Sequence, residues 1–264
     1  MEPHLYLYEQ LQLLSMKDDT GLVYSYDAIN QGIYTSGGAV LMDLLMQGCI
    51  AISDKNHCFA LPNRPSLNDE VLEKALSRIE KVKKTKDAKY WVQIFATYDT
   101  PYRKAIKHLI AKDVVRLDKQ KTWGFFSKTR YPLQNVALKQ GIITNLEAAL
   151  DPISPSERET LILLGLVKSA KLLPHVFPRH FRENPTELIA KVETALKKKP
   201  QDNFVEGALE DDQKRQEMFE AIEMSLNTLA FALDSVLDAV DSSIGDAGGD
   251  GGDGGGDGGG GGGD

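Results

Sequence analysis

The chain has 264 residues and a formal net charge of −7, and five of its negative charges are Asp residues in the last twenty positions. The remaining body, at about −2 with local patches of both signs, lacks the basic excess of a nucleic-acid binder. Cys49 and Cys58 form neither a disulfide framework nor a zinc pattern, which predicts reduced buried thiols. No run reaches the ~20 apolar residues that span a bilayer, and the N-terminus does not read as a signal peptide.

Leu5 to Met16 places Leu7, Leu11 and Leu14 at helical spacing, and Lys17 to Gly21 turns the chain. Leu22 to Tyr26 reads as a short extended run. Thr35-Ser36-Gly37-Gly38 opens an apolar helix, Ala39 to Met46. Cys49–Ser53 and His57–Ala60 read as a small hairpin around Asp54-Lys55-Asn56. Ser66 to Glu70 caps an amphipathic helix from Val71 to about Lys84, and Tyr90 to Tyr98 is a shorter one. Pro101 suits a helix start, so a basic amphipathic helix follows over Tyr102 to Lys112.

Val114 to Leu133 reads as two extended arms around a polar turn, Asp118–Lys121, with Trp123, Phe125 and Phe126 on one arm. Asn135–Gly141 and Asn145–Asp151 are short segments. Ser154 to Glu157 starts the apolar helix Thr160 to Leu173, and Thr186 to Lys198 is amphipathic up to Pro200. Asp211 to Val240 is the last long helical stretch. The expectation is a mainly α chain with short β-hairpins: one domain over 1–240, then a Gly/Asp-rich disordered tail over 241–264.

Catalytic patterns are lacking: there is no Walker loop, nucleophile elbow or dinucleotide fingerprint. His175 and His180 stand five apart with Pro178 between them, poor spacing for two metal ligands. Asp211-Asp212 and Glu220/Glu223 read as a solvated helix face. The Gly-Gly-Asp tail lacks the recurring apolar residue of a calcium β-roll. No enzyme, metal or cofactor is expected.

What remains is a basic-aromatic constellation. Arg103, Lys104, Lys107 and Lys112 precede the hairpin, which carries Arg116, Lys119, Lys121, Lys128 and Arg130 around Trp123 and Phe125. Such a group suits reversible docking on an anionic leaflet. Two other readings fit the same residues. In one, Trp123 and Phe125 pack on Tyr102 or Ile106 and the lysines are simply solvated. In the other, a winged-helix nucleic-acid module uses the 102–112 helix for recognition and Asp118–Lys121 as its wing tip.

The order of segments resembles the Golgi phosphoprotein 3 family, whose yeast member is a vacuolar-sorting adaptor. The resemblance spans about Leu5 to Val240. It is carried by LYLYEQLQLLSMKDDTG, GGAVLMDLLMQGCI, RKAIKHLIAKDVVRLDKQKTWGFFSKTRYPL, and ERETLILLGLVKSAKLL followed by PHVF. It implies a four-helix core ringed by amphipathic helices, with a protruding hydrophobic hairpin. It also implies a non-enzymatic peripheral membrane protein on the cytosolic face of the Golgi that binds phosphatidylinositol 4-phosphate. Cytoplasmic tails of membrane enzymes, and other copies of itself, are the implied partners; nucleic acid is not one.

By position, Tyr26 takes the place of the family's pocket tryptophan and Arg103 keeps one pocket arginine. Gly37 and Thr100 stand where two more arginines are expected, with Lys104, Lys107 and Arg130 as possible substitutes around the headgroup. Trp123, Gly124, Phe125 and Phe126 form the membrane-inserting arm of the hairpin.

Overall fold

The computed structural model describes residues 3–24, 26–53, 57–62, 64–121 and 127–198. The Trp123–Phe126 arm, the 211–240 stretch and the tail therefore lie outside the described residues, as do the side chains of residues 26–31. The described chain is mainly α, with only small antiparallel sheets, as expected.

Helix α1 (Leu7–Leu14) and helix α2 (Tyr26–Met46) pack together at the centre. The start of α2 differs from expectation. The helix begins at Tyr26, so Thr35 to Gly38 lie inside a 21-residue helix rather than opening it. Strand β1 (Ile50–Ile52) pairs antiparallel with β2 (His57–Ala60), in the register Ile50↔Ala60 and Ile52↔Cys58. This is the expected hairpin, and it acquires a third strand, β3 (Lys86–Asp87), on β2. Cys49 and Cys58 are free and buried. Burial pushes the Cys58 thiol up to about 12 and the Cys49 thiol up to about 11.

Helix α3 (Glu70–Lys81) is capped by Asp69, whose carboxylate accepts from the amides of Val71 and Leu72. Helix α4 (Ala88–Ile94) runs into a π-helical turn, Phe95–Asp99. Helix α5 (Pro101–Ala111) then starts after Thr100, which adopts a left-handed conformation at φ 45°.

Strand β4 is Asp118–Lys121, paired with β5 (Ser127–Arg130) in the register Asp118↔Arg130 and Lys121↔Ser127. The polar quartet is thus a strand, not the expected turn or a wing tip. The hairpin itself is present as the antiparallel pairing of these two strands. Helix α6 (Val136–Ala149) is one continuous helix where the sequence suggested two short segments, because Gly141 is tolerated within it. Helices α7 (Arg158–Ser169), α8 (Leu173–Val176), α9 (Pro178–Glu183) and α10 (Pro185–Ala195) complete the described chain.

Helix α2 meets α1, α3, α4, α5 and α7, so it is the axis of the main core. Trp91, Tyr8, Phe95 and Phe177 are among the largest side chains sealed inside. A second, smaller cluster joins Leu5, Leu13, Met16 and Leu109 to Val114 and Val115. Partly buried Tyr131 and Leu133 close over it, and this cluster fixes the base of the hairpin on the domain.

Candidate functional site

The sequence-predicted residues fall on α2, α5 and the hairpin. Helix α5 has three faces. Pro101, Ala105 and Leu109 are buried. Lys104, His108 and Lys112, four apart, turn toward carboxylates on α1 and α3. Arg103 and Lys107, also four apart, are exposed, and no carboxylate among the described residues pairs with either. The helical period therefore divides the basic set into a committed row and a free row.

The committed row closes a buried polar cluster. Lys104 Nζ lies 2.9 Å from Glu70 Oε1, and this hydrogen bond and charge hold the Glu70 carboxyl below its usual range. Lys112 Nζ lies 2.7 and 2.6 Å from the two oxygens of fully buried Glu9. The Tyr8 hydroxyl stands 2.7 Å from both Asp69 Oδ2 and His108 Nδ1. An ionised carboxylate only accepts, so the hydroxyl donates to Asp69 and the imidazole Nδ1 donates to the hydroxyl oxygen. His108 Nδ1 is also 3.3 Å from Glu9 Oε1 and from Asp69 Oδ2.

Glu9, Asp69 and His108 each offer a metal-ligating atom, all within 4.8 Å of one another. Those atoms already hydrogen-bond or ion-pair within the cluster, and Lys112 occupies both oxygens of Glu9. The arrangement is a clasp between α1, α3 and α5 rather than an open coordination site. Asp43 extends it: its buried carboxylate accepts from the amides of Leu7 and Tyr8 at the start of α1, and burial pushes its pKa well above the usual carboxylate range. No sequence pattern marks this cluster, because its members lie on separate elements.

Gly37 is buried where α2 crosses α4 and the π turn. A Cβ there would come 2.4 Å from Val92 O and 2.9 Å from Ala96 N. Glycine is what lets these backbones approach. Gly37 offers no surface to a ligand, and it lies about 16 Å along the helix from Tyr26, at 1.5 Å per residue. Tyr26 is the first residue of α2. Thr100 is half-buried between Asp99 and Pro101. Asp99 is buried and held by Lys74 at 2.8 Å and Arg78 at 2.9 Å. That collar fixes the chain just before α5 begins.

The hairpin base is anchored from the other side. The Tyr131 amide donates to Thr20 O at 3.0 Å and the Leu133 amide to Asp18 O at 2.8 Å. Gly21, at φ 63°, lies so close to the Tyr131 carbonyl that a Cβ would stand 2.1 Å from its oxygen. Buried Lys139 ties the same loop down through Asp18 at 2.6 Å and Met16 O at 2.7 Å. Arg130, at the end of β5, keeps its Nε buried without a hydrogen-bond partner among the described residues. The two histidines weighed as metal ligands do other work. His175 stacks on Tyr24 at 4.1 Å, and burial holds its pKa below the usual histidine value. His180 packs edge-on against Phe177.

The fold defines a mainly helical domain around one central helix, and no helix among the described residues is long and apolar enough to cross a membrane. The family model for Golgi phosphoprotein 3 (GPP34) matches residues 7–216, and the chain belongs to that family. No curated protein matches it. Membership supports a Golgi-associated adaptor role.

Proposed function

We propose that this domain is a non-enzymatic trafficking or retention adaptor that docks on the cytosolic face of the Golgi. It recognises the phosphatidylinositol 4-phosphate headgroup with Arg103 and Lys107, aided by Tyr26, Thr100 and Arg130. The Trp123-Gly124-Phe125-Phe126 segment enters the bilayer beside it. Cytoplasmic tails of membrane enzymes and a second copy of the chain are the protein partners this reading admits.

The observation that carries the proposal is the free row of α5. Lys104 and Lys112 are spent on carboxylates, while Arg103 and Lys107 stand exposed one turn apart, on the helix that leads into the hairpin. A phosphate monoester presents charge-assisted acceptors that such donors satisfy at ~1.5–3 kcal/mol each. Arg130, half-buried at the end of β5, adds a cation on the hairpin itself.

Vesicle sedimentation tests the headgroup part, and tryptophan fluorescence tests the insertion. The chain has two tryptophans, and Trp91 is sealed in the core, so a blue shift on vesicle addition reports Trp123. A shift that survives Trp123→Phe, or no shift with vesicles that pellet the protein, refutes insertion.

A further inference from the structure

Several lysines of this domain are spent on carboxylates, as at Asp99, Glu70, Glu9 and Asp18. The stretch from the end of α3 to the first turn of α4 is different. Lys81, Lys83, Lys84, Lys86 and Lys89 fall within nine residues, and all five are exposed. None of them pairs with a carboxylate among the described residues. The one acid within the stretch, Asp87, turns its carboxylate to the Tyr90 amide at 2.7 Å as the cap of α4.

The backbone holds this row in place. Val82 packs against the core and Ala88 is buried, so the alternation directs the lysines outward. Lys86 sits on β3, paired with Cys58 of β2, and the Thr85 hydroxyl lies 3.2 Å from His57 Nδ1. Tyr90 is half-exposed at the end of the row, with Lys86 Nζ 5.2 Å over its ring. Lys74 and Arg78 precede Lys81 at helical spacing and grip Asp99, next to the start of α5. The ridge thus continues toward the Arg103 end of α5.

Lysine ammonium groups are hydrated point charges without the planar fork that reads a single phosphate. A fixed row of them, edged by an amphipathic ring, matches a diffuse negative surface better than a stereospecific anion site. Clusters of this size are drawn to anionic leaflets. We propose that the Lys81–Lys89 ridge is a second membrane contact, taken by the surface charge of an anionic leaflet of the phosphatidylserine type. The inference rests on the membrane-docking reading above but uses residues separate from the headgroup site.

The test is sedimentation of the full chain with phosphatidylcholine vesicles, with and without phosphatidylserine and free of phosphoinositide. The wild type pellets with the phosphatidylserine vesicles and is released by added salt. The Lys83→Gln/Lys84→Gln/Lys86→Gln/Lys89→Gln variant, folded by circular dichroism, binds them about six hundredfold more weakly, since each of the four lysines contributes about fivefold. Arg103→Ala/Lys107→Ala retains ridge-dependent binding to these phosphatidylserine vesicles and, on a separate set containing phosphatidylinositol 4-phosphate, loses any preference for it, so failure of the headgroup reading shows separately. Wild type that ignores phosphatidylserine, or a ridge variant that binds it undiminished, overturns the proposal. So does a carbodiimide cross-link from the ridge to the chain's own Asp-rich tail that persists with vesicles present, which would assign the ridge to that tail.

Discussion

Replacing Gly37 with alanine isolates the helix crossing at the centre of the domain. In a helix interior, Gly→Ala ordinarily stabilises by about 0.5–1 kcal/mol, because alanine loses less backbone entropy. Gly32 is the internal control. It lies on the same helix, and nothing stands within 4 Å of a Cβ placed there. Gly32→Ala should therefore gain the full propensity term. At Gly37 the added methyl meets Val92 O at 2.4 Å and Ala96 N at 2.9 Å. These are backbone atoms of α4 and the π turn, which cannot rotate away as a side chain would. Separating the helices costs about 1–3 kcal/mol in the manner of core overpacking, which outweighs the propensity gain. Urea unfolding should place Gly37→Ala about 1–2 kcal/mol below wild type and Gly32→Ala above it. Equal or raised stability for Gly37→Ala would refute the close crossing, and with it the burial of this position away from any ligand.

Asp69→Ala removes the cap of α3 and the acceptor of the Tyr8 hydroxyl together. It should cost about 2–3 kcal/mol in urea unfolding, with Asp69→Asn costing less because one oxygen still caps the helix. His175 supplies a pH test: burial lowers its pKa below 6.5, so the unfolded chain binds the extra proton first. Its contribution is fully present above pH 6.5 and is lost as pH falls through the lowered value. Unfolding free energy measured from pH 7 downward should decline less steeply for His175→Phe than for wild type, and parallel curves would contradict this.

Much of the fold was legible where chemistry marks an element's end. Pro101 marked α5, the polar run ending at Glu70 marked α3, and Leu7, Leu11 and Leu14 marked α1. The start of α2 was not legible, because Thr35, Ser36 and two glycines look like a helix boundary when only propensity is read. Tertiary packing reverses that reading: Gly37 is there for the crossing with α4. Gly141 misled in the same way, since an exposed glycine with open space around it interrupts a periodic pattern without breaking the helix. In the hairpin, Asp118–Lys121 looked like a turn because its residues are polar, yet backbone pairing to 127–130 holds a two-stranded ribbon in register without an apolar side chain.

At the site, the free and committed rows of α5 follow from helical spacing once the carboxylates are known. Those carboxylates come from α1 and α3, far away in sequence, which is why Lys104 looked as available as Arg103. The clasp of Tyr8, Glu9, Asp69 and His108 was invisible for the same reason.

The most direct test of the headgroup proposal compares vesicles containing phosphatidylinositol 4-phosphate with vesicles of equal charge made with phosphatidylserine, using wild type and Arg103→Ala/Lys107→Ala. Headgroup recognition by the free row of α5 predicts tighter binding of wild type to the phosphoinositide vesicles, and loss of that preference in the double variant with folding intact. Equal pelleting of wild type on both vesicle types, or a preference that survives the double substitution, would contradict it.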